Sequence, residues 1–386
     1  MATFGFLSTY PPTHCGLATF SAALLRHLTE QGSPDRGGVV RVVDRLPAAV
    51  HPNVVAHLVN GAPGGPAVAA ATLNRFDVAV VQHEYGVYGG PDGAEVLDVL
   101  AEVTVPTIVV LHTVLAAPSV LQRQLLERIA DAADAVVVMS DTAAFRLREG
   151  YLVDSAKVSV IPHGALTAQR LAPPASFDPF APPDPRPKPP VVLTWGLLGP
   201  GKGIESAIEA FAGLDDLNPA PRYLIAGQTH PKVLEREGEA YRELLHRRAE
   251  ELDVSDHVEF APEYRNAEAL MALVRMADVV LLPYESTEQA TSGVLIEAIA
   301  ARRPIVATRF PHAVELLSDG AGLLVPHGDT AAMTQALRKI LTQPAVAAGM
   351  KAAAGSLAPA LDWTAVAASY RALATSLLEA RAGVAA

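Results

Sequence analysis

The sequence predicts an α/β protein of two doubly wound parallel-sheet domains facing one another across a cleft, and three observations predict it. Short apolar runs rich in β-branched residues alternate with helical patterns along nearly all 386 residues. Most of these runs are continuous, without the polar alternation of a half-exposed strand, so they belong to strands covered on both faces by helices. The plan occurs twice, and residues 171–190, with nine prolines, separate the halves, because that segment can form neither a helix nor a central strand.

In chain order, the first half reads as strands at residues 4–7, 39–43, 78–81, 107–111, 135–139 and 158–161, with a glycine-bearing loop and a helix after the first. The second half reads as strands at 191–194, 223–226, 257–260, 279–282, 305–307 and 322–325, with helices at 204–211 and from about Ser292. Residues 231–253 carry Glu and Arg at helical spacing and read as one solvated helix laced with ion pairs. Residues 364–381 form a helix whose apolar face (Val366, Tyr370, Leu373, Leu377) has to dock, and the first domain is the expected seat. The expected organisation is therefore a Rossmann-like domain at 1–170, a linker at 171–190, a second Rossmann-like domain at 191–360 and a C-terminal helix at 361–386.

Hydrophobic residues at 50% and charged residues at 18% describe a folded globular chain. A formal net charge of −11 argues against a nucleic-acid partner, since phosphate-backbone affinity needs clustered Lys and Arg. No run approaches the roughly 18 apolar residues of a membrane span, and residues 3–7 read as a strand directly after Met1. The expected compartment is the cytoplasm, with peripheral contact at a membrane surface left open. The single cysteine, Cys15, forms no internal disulfide and no cysteine metal cluster, and it reads more simply as a small loop residue than as a nucleophile.

The most informative stretch is 277–307, a buried strand, a polar loop, a helix carrying Glu297 and a second strand. At the start of that helix Ser292, Gly293 and Val294 are expected to present unpaired backbone N–H groups, where the helix dipole also favours an anion. Glu297, about one turn further in, reaches back to the same mouth and suits ribose hydroxyls; an ordinary strand–loop–helix with a solvated Glu is the plainer alternative. Upstream, Gly196-Leu-Leu-Gly-Pro-Gly-Lys202-Gly203 meets the spacing of a nucleoside-triphosphatase phosphate loop as far as the lysine. Gly203 then stands where Ser or Thr would hold magnesium, so the metal-dependent phosphoryl-transfer reading loses its ligand. Lys202 suits a diphosphate bound without a metal, or is a solvated residue in a tight turn.

These segments, with Tyr10-Pro-Pro-Thr-His-Cys-Gly-Leu17, Val109-Val-Leu-His112-Thr113, Val160-Ile-Pro-His163-Gly164 and Pro304-Ile-Val-Ala307, resemble the retaining nucleotide-sugar glycosyltransferases of glycosyltransferase family 4, over essentially the full chain. The resemblance implies the GT-B fold, a nucleoside-diphosphate sugar as donor substrate with no further cofactor, and a carbohydrate or glycoconjugate acceptor. It implies that Gly16 and Lys202 lie against the donor diphosphate with the amides of Ser292, Gly293 and Val294. It further implies that Glu297 binds the ribose and that His112 contacts the transferred sugar. Two positions depart from the family pattern. Its phosphate-segment arginine falls on Leu197, with Arg265 or Arg309 as candidate replacements, and the first of its two glutamates falls on Gln289, beside Glu288. Gln hydrogen-bonds sugar hydroxyls but carries no charge beside a developing oxocarbenium ion.

The reaction so implied is metal-independent hexosyl transfer with retention, from a donor of the GDP-mannose or UDP-glucose type, with His112, Lys202, Gln289 and Glu297 as the catalytic group. Closure of the domains about the linker would bring Gly16 and His112 onto the donor. Glu84, in Gln82-His-Glu-Tyr-Gly86, reads either as an acceptor contact or as one member of a buried hydrogen-bonded pair. The rival functions are a sugar-nucleotide epimerase of similar fold and a non-catalytic sugar-nucleotide binding protein.

Overall fold

In a computed structural model of the chain, residues 1–30, 33–47, 51–167 and 188–385 are described. Residues 171–187, most of the segment read as a linker, lie outside the described residues. The chain divides into two compact units, Met1–Gly164 with Trp363–Ala386, and Ala165–Asp362.

The first unit holds a sheet of β1 (Thr3–Ser8), β2 (Arg36–Val43), β3 (Val54–Val59), β4 (Val78–His83), β5 (Thr107–Leu111), β6 (Ala135–Val138) and β7 (Val158–Val160), in the order β3-β2-β1-β4-β5-β6-β7. Every adjacent pair is parallel. The helices α1 (Gly16–Leu28), α2 (Gly65–Leu73), α3 (Val96–Leu100), α4 (Val120–Ala132) and α5 (Asp141–Gly150) connect them. All residues of β4, β5 and β6 are buried, which is why these strands read as unbroken Val, Ile and Leu. The edge strand β3 was not among the expected strands. It is buried at only two of six positions, and Val55 faces solvent, so its sequence lacks both the continuous and the alternating signal.

The second unit holds β8 (Val191–Trp195), β9 (Arg222–Ala226), β10 (Val258–Ala261), β11 (Val279–Leu282), β12 (Ile305–Thr308) and β13 (Gly322–Val325), in the order β10-β9-β8-β11-β12-β13, again parallel throughout. Its helices are α6 (Ile204–Ala212), α7 (Pro231–Glu237), α8 (Ala240–Glu251), α9 (Ala267–Met276), α10 (Gly293–Ala300), α11 (Pro311–Leu317), α12 (Thr330–Thr342) and α13 (Pro344–Leu357). Leu193, Val280, Leu282 and Ile305 pack with Leu295 and Ile299 of α10 in one core. Val192, Val279, Leu281 and Val306 pack with Ile208, Leu245 and Leu337 in a second core. Apolar helices therefore cover both faces, as the continuous strands required.

The single solvated helix expected at 231–253 is in fact α7 and α8, broken at Gly238, whose φ of 61° takes the chain out of the helix. The expected ion pairs are present, among them Arg248–Glu251 at 3.0 Å and Arg242–Glu239 at 3.3 Å. The last helix, α14 (Trp363–Ala385), packs on α1. Its Trp363 ring meets Phe20 at 5.2 Å, while Arg371 donates to Asp35 at 2.9 Å and to the carbonyls of His27 and Leu28, which closes the C-terminal end of α1. The division between units falls after Gly164 because the Ala165 N–H donates to Leu361 and Thr167 donates to Asp362. No described helix is long and apolar enough to cross a membrane.

Candidate functional site

In each sheet the strand order reverses beside one strand, between β1 and β4 and between β8 and β11, and ligands of open α/β sheets bind at the carboxyl ends of the strands there. In the second unit the predicted residues gather at that place. The turn after β8 contains Gly196, Gly201 and Gly203, all with φ positive (127°, 84° and 66°), and the Glu285 N–H bonds to the Gly201 carbonyl, tying this turn to the loop after β11. Lys202 lies within the turn, with its Nζ 4.8 Å from the centre of the Tyr284 ring. Among the described residues no carboxylate forms an ion pair with it, and burial lowers its pKa, so the position favours an incoming anion.

The missing magnesium ligand at Gly203 also has a steric cause. A Cβ built there would run into the Pro283 carbonyl oxygen, at a φ that L side chains avoid, so this turn has no room for Ser or Thr. Among the described residues no group of three or more His, Cys, Asp or Glu could hold a metal ion.

Ser292 is the N-cap of α10, its Oγ accepting from the Leu295 N–H at 3.2 Å. The expectation of three open amides is corrected here, because the Ser292 N–H already donates to His312 Nδ1 at 2.9 Å. Gly293 and Val294 are the first two residues of α10, ahead of any intrahelical acceptor for their N–H groups. Glu297 is the single charged residue of α10, and its Oε2 accepts from the indole N–H of Trp195, the last residue of β8, at 2.9 Å. Burial raises the Glu297 carboxyl to about 7, with the indole bond pulling the other way. Gln289 stands in the same loop, with its side chain donating to the Thr291 carbonyl at 3.3 Å and its own carbonyl accepting from His312 N–H. Of the candidate replacement arginines, Arg265 is paired with Glu263 at 3.0 Å, and Arg309 is exposed at the end of β12.

The first unit collects Gly16 and His112 at its own reversal. Cys15 is the N-cap of α1, its Sγ accepting from the Ala18 N–H at 3.4 Å and lying 3.2 Å from Thr9 Oγ1, which makes it a helix cap. A Cβ built on Gly16 meets nothing within 4 Å, so packing within this unit does not require glycine there. His112 follows β5, with its Nε2 2.7 Å from Gln82 Oε1 and its ring edge-on to Phe20 at 5.0 Å. Because that oxygen only accepts, Nε2 carries the proton and Nδ1 is the acceptor. Burial, with His163 and His83 nearby, holds the His112 pKa down to about 3, so the ring is neutral. Glu84 is half-buried and accepts from Thr113 Oγ1 at 2.7 Å and from Tyr85 N–H at 3.0 Å.

Trp195, Tyr284, Gln82 and His312 were not singled out in the sequence. Each acts through a neighbour distant in the chain, and only the adjacency of an indole to the glycine turn hinted at one of them.

With this geometry in place, two family models match the chain: Glycosyltransferase Family 4 over residues 16–169 and Glycosyl transferases group 1 over residues 178–356. The chain belongs to the glycosyltransferases that these two models together describe. Among its curated relatives, the D-inositol 3-phosphate glycosyltransferase of Kineococcus radiotolerans is 30% identical over 268 residues, 62% of this chain and 57% of that protein. The GDP-mannose-dependent alpha-(1-6)-phosphatidylinositol monomannoside mannosyltransferase of Mycolicibacterium smegmatis is 32% identical over 244 residues, 59% of this chain and 58% of that protein. The chain thus spans less than two thirds of the length of either. The fold matches that of Anabaena HepE in complex with UDP (TM-score 0.73, 16% identity, 97% of this chain and 100% of that one). It also matches Thermosynechococcus elongatus sucrose-phosphate synthase (TM-score 0.75, 19% identity, 98% and 100%). The glycosyltransferase chain therefore has GT-B architecture, two parallel-sheet α/β domains.

Proposed function

We propose that this glycosyltransferase moves a hexosyl group, with retention and without a metal, from a nucleoside-diphosphate sugar of the GDP-mannose or UDP-glucose type to a hydroxyl of a carbohydrate or glycoconjugate. The observation that carries the reading is the gathering of Lys202, the Gly293 and Val294 amides and Glu297 at the carboxyl ends of β8 and β11. Departure of the diphosphate is the difficult event, and its growing negative charge falls to Lys202 and the start of α10, groups fixed before the reaction begins. Glu297 takes the ribose hydroxyls, and Gln289 hydrogen-bonds the sugar or its phosphate. In the first unit, Gly16 leaves open space for the diphosphate and neutral His112 offers the sugar a hydrogen bond. Retention follows from attack on the face the diphosphate leaves, with that phosphate taking the acceptor proton. Cys15, weighed in the sequence as a nucleophile, is engaged as the N-cap of α1. The mannosyltransferase relative is named for GDP-mannose, and HepE was also solved with UDP-glucose, which supports these two donor types.

Thermal shift against UDP, GDP, ADP and their hexose conjugates, with and without EDTA, tests the reading. A bound ligand at one hundred times its Kd adds about 2.7 kcal/mol to the native state. A base-selective shift that survives EDTA, followed by a product whose anomeric configuration by NMR matches the donor, is the expected result. An inverted product or the absence of any nucleotide shift overturns it. Gln289, in place of a charged residue, favours one alternative, a protein that binds the donor without turnover; donor consumption in an acceptor screen separates the two.

A further inference from the structure

Arg41 lies in β2, within an otherwise apolar run, in register with Ser8 of β1 and His57 of β3. Its side chain is 6% exposed, yet among the described residues no carboxylate faces it. Nη2 donates to Thr13 Oγ1 at 2.8 Å, while Nε and Nη1 are buried without a hydrogen-bond partner among the described residues. A buried guanidinium so poorly satisfied is costly in a resting fold, and such sites are retained where a ligand completes them. Thr13 belongs to the loop that runs into Cys15, the N-cap of the 13-residue α1, so the charge is aimed at a helix start whose dipole also favours an anion. The space over Gly16, where a Cβ would meet nothing, adjoins the same helix start. Desolvation and the Arg41 charge lower the pKa of His57, so the neighbouring imidazole is neutral and has one N–H to donate to an anion.

We propose that Arg41, with Thr13 and His57, forms a phosphate-binding subsite on the first unit. One phosphate oxygen takes the place of the Thr13 hydroxyl as acceptor for Nη2, and a second accepts from a neighbouring guanidinium nitrogen that lacks a partner. The subsite rests on the transferase reading for its biological source, either the donor diphosphate or a phosphate carried by the acceptor. Its existence is tested without turnover.

The experiment is calorimetry and thermal shift of the full chain with inorganic phosphate, in wild type, Lys202→Ala, Arg41→Met and Arg41→Lys. Lys202→Ala weakens the second-unit anion position, and the α10 amides that remain there are independent of Arg41, so the part of the persisting phosphate binding that Arg41→Met removes reports the first unit. Arg41→Met should weaken that remaining binding about ten- to a hundredfold, as loss of charge-assisted hydrogen bonds does. It should also raise the Tm measured without phosphate, because a buried, unsatisfied charge has been removed. Arg41→Lys, which keeps the charge but not the fork, should lose less. A second arm compares UDP and GDP with a sugar phosphate and its parent sugar. Selective weakening of the nucleotides by Arg41→Met assigns the subsite to the donor, and selective weakening of the sugar phosphate assigns it to the acceptor. Phosphate binding abolished by Lys202→Ala and untouched by Arg41→Met and Arg41→Lys overturns the subsite while leaving the transferase reading intact. Nucleotides that fail to bind wild type, with phosphate still bound through Arg41, overturn the transferase reading alone.

Discussion

Removing the Trp195 indole N–H, with Trp195→Phe, should turn nucleotide binding into a steep function of pH. The Glu297 carboxyl sits at about 7, so near neutral pH about half of the molecules carry the charged form that accepts best from ribose hydroxyls. The indole bond at 2.9 Å stabilises that charged form, and a hydrogen bond to a charged group contributes about 1.5–3 kcal/mol. At 1.36 kcal/mol per unit, its loss moves the carboxyl up by roughly one to two units. The ionised fraction at pH 7 then falls from about one half to about a tenth or a hundredth, and affinity for UDP or GDP at that pH should fall about five- to fiftyfold. Calorimetry from pH 6 to 9 is the assay. Wild-type affinity should rise with pH through about 7 and level off; that of Trp195→Phe should level off one to two units higher and approach wild type at the alkaline end. Glu297→Gln should bind weakly with little dependence on pH. Wild-type binding that is flat from pH 6 to 9, or a Trp195→Phe curve superimposed on wild type, refutes both the Glu297–ribose assignment and the role given to the indole.

Three further outcomes follow from the same geometry. Lys202→Ala should cost nucleoside-diphosphate affinity about ten- to a hundredfold and flatten its salt dependence, measured by titration at two ionic strengths; an unchanged Kd removes Lys202 from the site. Gly16→Ala and Gly203→Ala should separate cleanly, because a Cβ at Gly16 meets nothing whereas one at Gly203 strikes the Pro283 carbonyl. The first should keep the wild-type Tm and lose donor affinity, and the second should lose stability by more than about 1 kcal/mol in denaturant titration. His83, 0% exposed and with both ring nitrogens unpaired, is held by burial to about 4, below its unfolded value of about 6.5. Its contribution to stability is therefore intact above about pH 6.5 and is lost progressively as pH falls towards 4, by about 3 kcal/mol in all, and His83→Phe should make the acid limb shallower in urea titrations at pH 7 and 5, leaving the share that the low pKa of His112 contributes.

The reach of the sequence was set by where each physical signal is encoded. A strand buried on both faces must be apolar at successive positions, so β4, β5, β6 and β11 were plain from their own residues, while β3, buried at two positions of six, was not. The same distinction governs the site. Lys202, Gly293 and Glu297 were legible because a glycine turn, a helix start and an acid one turn later are local features with local physics. Whether an amide there is open is not local: Ser292 was expected to offer its N–H, and His312, twenty residues on, takes it. The ionisation of Glu297 likewise depends on Trp195, 102 residues away in sequence, because the parallel pairing of β8 with β11 brings the end of one strand against the first turn after the other. Arg41 shows the intermediate case. A charge inside an otherwise apolar run is visible in the sequence as an anomaly, yet only the fold shows that among the described residues no carboxylate pairs with it and that its side chain bonds to the loop entering α1. Local sequence features thus mark the candidate anion-binding residues, and tertiary pairing decides which of their groups are already engaged.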